Sequence, residues 1–277
     1  MAKGDQLPRC DGHSLEREAA RSPAAKASIE AWSERYFAER AAKIVTVAVP
    51  ALLVTATAAA AGDVTDTWKN RTEVNPAGAA GPVPVVVYVH GCSGAYARPE
   101  LKADTDAWAE AVTHVGWRFT IPDSWARGTS SRPDACRPTL ETALKVRLMR
   151  IEEIAYAVTK LTEDPTVDKS RIVVFGHSEG AIAVASSEPP AGVRGVIVSG
   201  WTCHGAVLIA TGLLAPPTMA VLAIEFEHDS VLRIQGRCSE FFGGRAAARE
   251  LILPGTGHNA GGSKAARQAV AEFLMGL

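Results

Sequence analysis

The sequence has no C-x-x-C pair and no H-E-x-x-H, and its seven histidines are scattered. None of the ligand spacings of a zinc site is therefore present. It also lacks a G-x-G-x-x-G turn and a Walker loop, which removes the common dinucleotide- and phosphate-binding turns. Neither charge sign dominates: 29 Lys and Arg stand against 30 Asp and Glu, for a net charge of −1. With no basic stripe to neutralise phosphates, nucleic-acid binding is not expected. No internal repeat marks a solenoid or a propeller, and nothing calls for a cofactor or a metal. Apolar residues, by contrast, are plentiful. They make up 47% of 277 residues, enough to build the core of one large α/β domain or two small ones.

Residues 1–43 are polar and mixed in charge. Ser22-Pro23 reads as a helix start, and Ile29, Trp32, Tyr36 and Phe37 then fall on one face, as in an amphipathic helix attached to the main body. Residues 44–61 follow without a charge, after Arg40 and Lys43, and end in an alanine run before Gly62-Asp63. A basic flank, an apolar stretch and a small-residue end describe an export signal, either cleaved or kept as a membrane anchor. A buried helix of a cytoplasmic protein is the competing reading. Export, giving a periplasmic, secreted or anchored protein, is the expectation, with residues 62–277 as the folded unit. Cleavage near Ala61 would remove Cys10 and leave Cys92, Cys136, Cys203 and Cys238. Bridges Cys92–Cys136 and Cys203–Cys238 would each tie loops at one sheet edge, and four reduced buried cysteines are the alternative.

From residue 83 onward, strand and helix patterns alternate. Val85–Val89 is a β-branched run of the kind that is buried on both faces in a parallel sheet. A helix pattern carries Ala107, Trp108, Ala111, Val112 and Val115, then a short strand spans Trp117–Ile121 and a loop spans Ser124–Pro138. Glu141–Leu161 is a long amphipathic helix. Further strands are expected at Arg171–Phe175, Val193–Ser199, Thr218–Ile224 and Glu250–Leu253, with a closing helix over Lys264–Met275. The alternation implies an α/β fold with a mostly parallel central sheet, helices on both faces and right-handed crossovers.

Between the strand at Arg171–Phe175 and an apolar helix start lies Gly176-His177-Ser178-Glu179-Gly180. Glycines two residues to each side of a serine, at a strand-to-helix turn, form a nucleophile elbow, where close packing leaves no room for their side chains. A serine hydroxyl needs a base, and the base needs an orienting acid. On such a sheet the partners follow in the order serine, acid, histidine. Asp229, after the strand at Thr218–Ile224, is the candidate acid, with Glu225 and Glu227 as rivals. His258, in a glycine-rich loop before the closing helix, is the candidate base. Backbone amides of Glu179, after the nucleophile, and Cys92, in His90-Gly91-Cys92-Ser93-Gly94, are the candidate oxyanion donors. His90 reads as a structural histidine at the end of a buried strand.

The segments VVVYVHGCSG, FTIPDSWARGTSSRPDAC, VDKSRIVVFGHSEGA, EFEHD and GTGHN together resemble the α/β-hydrolase superfamily over residues 83–277. Within it they are most similar to the dienelactone-hydrolase-related and prolyl-oligopeptidase-like branch. The resemblance implies ester hydrolysis through an acyl-enzyme on Ser178, Asp229 and His258, without a cofactor. Dienelactone hydrolase itself uses a cysteine where this chain has Ser178, which tells against a dienelactone substrate. The stretch Gly200–Pro217 is too short for the helical cap domain of many relatives, so an uncapped cleft is expected. Trp125, Trp201, Phe226, Phe241 and Phe242 are candidate pocket residues. Arg127 and Arg132 are either solvated loop residues or a clamp for a substrate carboxylate. A peptidase or amidase on the same triad, and a non-catalytic binding protein on the same fold, are the alternative functions.

Overall fold

A computed structural model of the chain describes residues 62–128, 136, 139–205, 211–232 and 236–277. The helix expected in residues 1–43, the export segment expected at 44–61, Cys10 and Arg132 lie outside them. Among the described residues, seven strands form one sheet: β1 (Thr72–Val74), β2 (Val83–Val89), β3 (Arg118–Ile121), β4 (Val167–His177), β5 (Val193–Ser199), β6 (Ala220–Asp229) and β7 (Ala248–Gly257). Five helices accompany them: α1 (Val64–Lys69), α2 (Pro99–His114), α3 (Leu140–Glu163), α4 (Glu179–Ala185) and α5 (Lys264–Met275). The strand order is β1-β3-β2-β4-β5-β6-β7. Only β1 runs antiparallel to its neighbour, pairing Glu73 with Thr120 of β3.

Every residue of β2 is buried, as its β-branched run requires. Alternate side chains supply two cores. Val85, Val87 and Val89 face Ile154, Val158 and Leu161 of α3 and Ala181 and Val184 of α4. Val86 and Tyr88 face Trp108 and Val112 of α2, in the layer that also holds Val270 and Phe273 of α5. Local signals set the helix starts. Pro99 opens α2, Thr139 Oγ1 accepts from Thr142 N at 3.2 Å to cap α3, and Ser263 Oγ accepts from Ala266 N at 3.3 Å to cap α5.

The chain passes from β2 to β3 on one side and returns to β4 on the other. The crevice at the carboxyl ends of β2 and β4 is therefore a topological switch point, where open α/β sheets place their ligands. Three departures from the sequence reading bear on the site. β6 runs on to Asp229 and β7 to Gly257, because the two pair as far as Asp229 with Gly257 across a register shift between Phe226 and His228. Asp229 is thus the last residue of a strand and not a loop residue. Pro254 sits in β7, which as an edge strand can tolerate its missing N–H. α1 and β1 were not anticipated, since six and three residues carry too little periodicity to read. Between β5 and β6 no α-helix occurs among the described residues, in keeping with the uncapped cleft.

Candidate active site

Ser178 stands between β4 and α4 with φ 54° and ψ −118°, a backbone conformation rarely adopted by residues with a side chain. Packing imposes it. A Cβ on Gly176 would lie 2.5 Å from Gly180 O, and a Cβ on Gly180 would lie 1.9 Å from Val89 O of β2. The helix can approach the sheet this closely only because both positions lack side chains. The turn is pinned by Ser178 N–H donating to Ser199 O of β5 at 2.8 Å. The Ser178 side chain caps nothing in the helix it precedes, and the residue retains 7% exposure at the switch point.

Asp229 and His258 are joined. His258 Nδ1 donates to Asp229 Oδ2 at 2.7 Å, while the other carboxylate oxygen accepts from Val231 N and Leu232 N, each at 2.7 Å. Burial alone would raise the Asp229 pKa. The His258 hydrogen bond and charge, with the two backbone donors, outweigh it and hold the carboxyl below its usual range. Gly200, one residue after the Ser199 carbonyl that pins the nucleophile, lies beneath the imidazole: its Cβ would be 3.0 Å from His258 Cε1. The acid, the base and the serine turn therefore converge. The Ser178–His258 hydrogen bond is not formed in this structure, a contact that in unliganded enzymes often closes only on binding substrate.

Two residues that the sequence did not mark tie the elbow to the histidine loop. His177, next to the nucleophile, is buried and lies 3.0 Å through Nε2 from Asn259 Oδ1. Its ring centroid is 5.0 Å from that of His258. Burial, and then the neighbouring His258 charge, depress its pKa to about 3, so it stays neutral and its Nε2–H donates to Asn259. The loop is anchored from the other side by Asp104 of α2, whose Oδ1 accepts from Gly261 N at 2.5 Å. No local pattern distinguishes these residues from ordinary buried polar ones.

The loop after β2 brings Gly91 against the nucleophile, where a Cβ would lie 3.2 Å from Ser178 Cβ. Cys92 follows, and its N–H donates to none of the described residues. Glu179 N heads α4. His90 is structural, as expected: it is buried, its Nδ1–H donates to Gly91 O at 2.7 Å, and its Nε2 accepts from Ser124 N at 3.3 Å. Beneath this loop runs a buried charge network. Arg150 donates to His90 O at 2.7 Å and pairs with Glu153 at 3.0 Å, with its Nε 3.9 Å from Glu179. Ser124 Oγ donates to Glu153 at 2.9 Å.

Arg127 belongs to the same network. It is neither a solvated residue nor a substrate clamp. It is buried, donates to Gly62 O at 2.8 Å and pairs with Glu152 at 2.9 Å. Both expected bridges form, Cys92–Cys136 and Cys203–Cys238. Trp125 lines a cavity of about 440 Å³ with His90, Ser93 and Tyr96. Trp201 and Phe226 line another of about 290 Å³ that reaches Asp229. Phe241 and Phe242 pack against the core on the α3 side of the sheet. Among the described residues no group of three His, Cys, Asp or Glu is arranged to hold a metal ion.

No protein-family model matches the chain, and no curated protein matches its sequence. Solved structures do match it. A cold-adapted esterase from an Arctic intertidal metagenomic library aligns with a TM-score of 0.53 and 17% identity, over 74% of this chain and 86% of the other. A protein assigned as a dienelactone hydrolase from Klebsiella pneumoniae aligns with a TM-score of 0.53 and 14% identity, over 75% and 92%. Est1E from Butyrivibrio proteoclasticus, solved with ferulic acid bound, gives 0.50 and 14% over 75% and 94%. With the strand order above, these likenesses give the chain the α/β-hydrolase fold.

Proposed function

We propose that this protein is a serine hydrolase that cleaves carboxylic esters through an acyl-enzyme. One observation carries the reading: the 2.7 Å Asp229–His258 hydrogen bond, in a chain whose candidate nucleophile stands at a strained strand-to-helix apex. An imidazole whose Nδ1–H is fixed by a carboxylate presents Nε2 as a base and is stabilised once protonated. His258 takes the proton of Ser178 as Oγ attacks the ester carbonyl. The carbonyl oxygen becomes an oxyanion and accepts from Cys92 N–H and Glu179 N–H. His258 then passes the proton to the leaving alcohol, and a water, activated by the same imidazole, releases the acid. The esterases of the same fold support the ester class. A fluorophosphonate probe tests the reading. Labelling that is abolished in Ser178→Ala and strongly slowed in His258→Ala is expected, and an unlabelled folded wild type would overturn it.

The site works in an exported protein on this reading. The two disulfides and the uncharged stretch 44–61 behind Arg40 and Lys43 support an oxidising compartment. N-terminal sequencing of the mature chain from membrane, periplasmic and medium fractions tests it, and a reduced cytoplasmic protein would count against it.

A further inference from the structure

His177 precedes Ser178 in the chain, and Asn259 follows His258. These two neighbours of the reacting groups are bonded to each other, with His177 Nε2–H donating to Asn259 Oδ1 at 3.0 Å. The rings of His177 and His258 also lie side by side, their centroids 5.0 Å apart and their planes tilted by 52°. Both rest on Gly200, where a Cβ would lie 3.2 Å from His177 Cε1 and 3.0 Å from His258 Cε1. Gly200 is held in turn by its N–H, which donates to Ile224 O of β6 at 3.0 Å. His177 itself has little freedom. It is buried, it is the last residue of β4, and it pairs with Ser199 of β5. A fixed strand end therefore reaches the loop that carries the base.

We propose that His177 is a positioning residue for the hydrolysis: its bond to Asn259 and its ring contact fix the His258 imidazole relative to Ser178. The inference rests on the ester-hydrolase reading above. Asp229 holds the imidazole from β6, through Nδ1 alone. That bond sets the tautomer and the direction of the ring, but it registers the base against β6. The nucleophile stands at the end of β4, two strands away in the order β4-β5-β6. His177 supplies the link from β4 itself, one residue from Ser178. At the far side of the loop, Asp104 of α2 holds Gly261 N. The charge of His177 suits this place. An imidazolium there would oppose the protonation of His258, whereas burial, and then the His258 charge, hold the His177 pKa at about 3 and leave the ring neutral near pH 7. Placement matters at this scale, because a shift of about 1 Å in a reacting group costs about a hundredfold in rate.

The test measures kcat and KM for phenyl acetate in the wild type, His177→Phe, His177→Gln, Asn259→Leu and the double variant His177→Phe/Asn259→Leu. Acylation and deacylation both pass through His258, so a misplaced base should lower kcat and leave KM unchanged. His177→Phe and Asn259→Leu should each lower kcat by about ten- to hundredfold. His177→Gln, whose amide N–H replaces the imidazole donor to Asn259, should keep kcat within about fivefold of the wild type. The double variant should be no more than about twofold slower than the slower single variant, because both changes remove one and the same bond. Asn259 is exposed, so its substitution leaves the core intact and decides the outcome if His177→Phe does not fold. The positioning role alone is overturned by a wild-type kcat in folded Asn259→Leu, by losses confined to KM, by His177→Gln as slow as His177→Phe, or by losses that multiply in the double variant. A folded wild type that does not hydrolyse phenyl acetate overturns the hydrolase reading and the positioning role with it.

Discussion

Glu225 shows how burial changes what a single residue can do. Its carboxyl is 3% exposed, and burial together with the nearby Glu250 carboxylate raises its pKa to about 8, against the opposing pull of Cys238 N–H and Arg237. A carboxyl whose folded pKa exceeds its unfolded value stabilises the fold while protonated. That contribution is whole below about pH 4.5 and is lost as the pH rises to about 8. Glu225→Gln should therefore melt at nearly the wild-type temperature at pH 5 and gain on the wild type by a few kcal/mol at pH 9, where the buried charge must form. Thermal unfolding of both proteins across pH 5–9 measures it, and parallel curves would contradict the assignment. Arg150 is the opposite case, a buried charge whose two terminal nitrogens are both engaged, by Glu153 and by His90 O. Arg150→Met strips a donor from His90 O and leaves Glu153 short of its buried partner, for an expected loss of about 3–5 kcal/mol. Arg150→Met/Glu153→Met should lose less than the single variant, as urea titration would show, because no lone charge then remains. The sequence named Ser178, Asp229 and His258 because each follows a readable strand. It could not reveal that Arg127 turns inward, since a loop arginine reads the same whether solvated or buried.

At the scale of elements, the site depends on how closely α4 approaches β2. The Val89 carbonyl lies where a Gly180 side chain would begin, at 1.9 Å, and a backbone atom inside a sheet cannot move aside as a flexible side chain can. Gly180→Ala should cost about 4 kcal/mol or more, or prevent folding. Gly116→Ala, at a turn with open space around it, should lose only what its positive φ exacts, about 1 kcal/mol. Denaturant midpoints of the two variants separate the cases, and similar losses would argue against the close approach as the cause. The same packing explains which elements could be read from the sequence. β2, β5 and α5 carry their whole signal in local chemistry, as β-branched runs or a capped apolar periodicity, and they fall within two residues of expectation. The polar ends of β6 and β7 carry none. His228 and Asp229 are extended because β7 pairs with them, beyond a register shift at Glu227, and that pairing is tertiary. α1 and β1 are held by contacts of the same kind, such as Asp123 N–H to Thr67 O at 3.0 Å and the ladder to β3.

Over the whole molecule, the two disulfides bracket the crevice. Cys92–Cys136 ties the loop after β2 that packs on Ser178 through Gly91, and Cys203–Cys238 ties two segments beside the cavity next to Asp229, since Cys203 follows Trp201 closely and Cys238 N bonds Glu225. With partners 44 and 35 positions apart, each bridge limits the unfolded chain by about 4 kcal/mol in the chain-entropy description. They differ in exposure. Cys203 and Cys238 are fully buried, whereas Cys92 and Cys136 are half-buried. A thiolate must reach a sulfur to exchange with it, so mild reductant should open Cys92–Cys136 first. That intermediate, about 2 Da heavier for the two hydrogens gained, should stay folded, because the sheet and both cores lie away from the bridge. On the proposed mechanism it should nevertheless lose most of its activity through kcat, since Cys92 N–H would contribute only when charge develops on the carbonyl oxygen. Mass spectrometry timed against the hydrolysis of phenyl acetate follows both quantities in one sample. If activity persists in full after the first bridge opens, then Gly91 packed on Ser178 and the Arg150 strut under His90 suffice to hold the loop, and the disulfide serves stability alone.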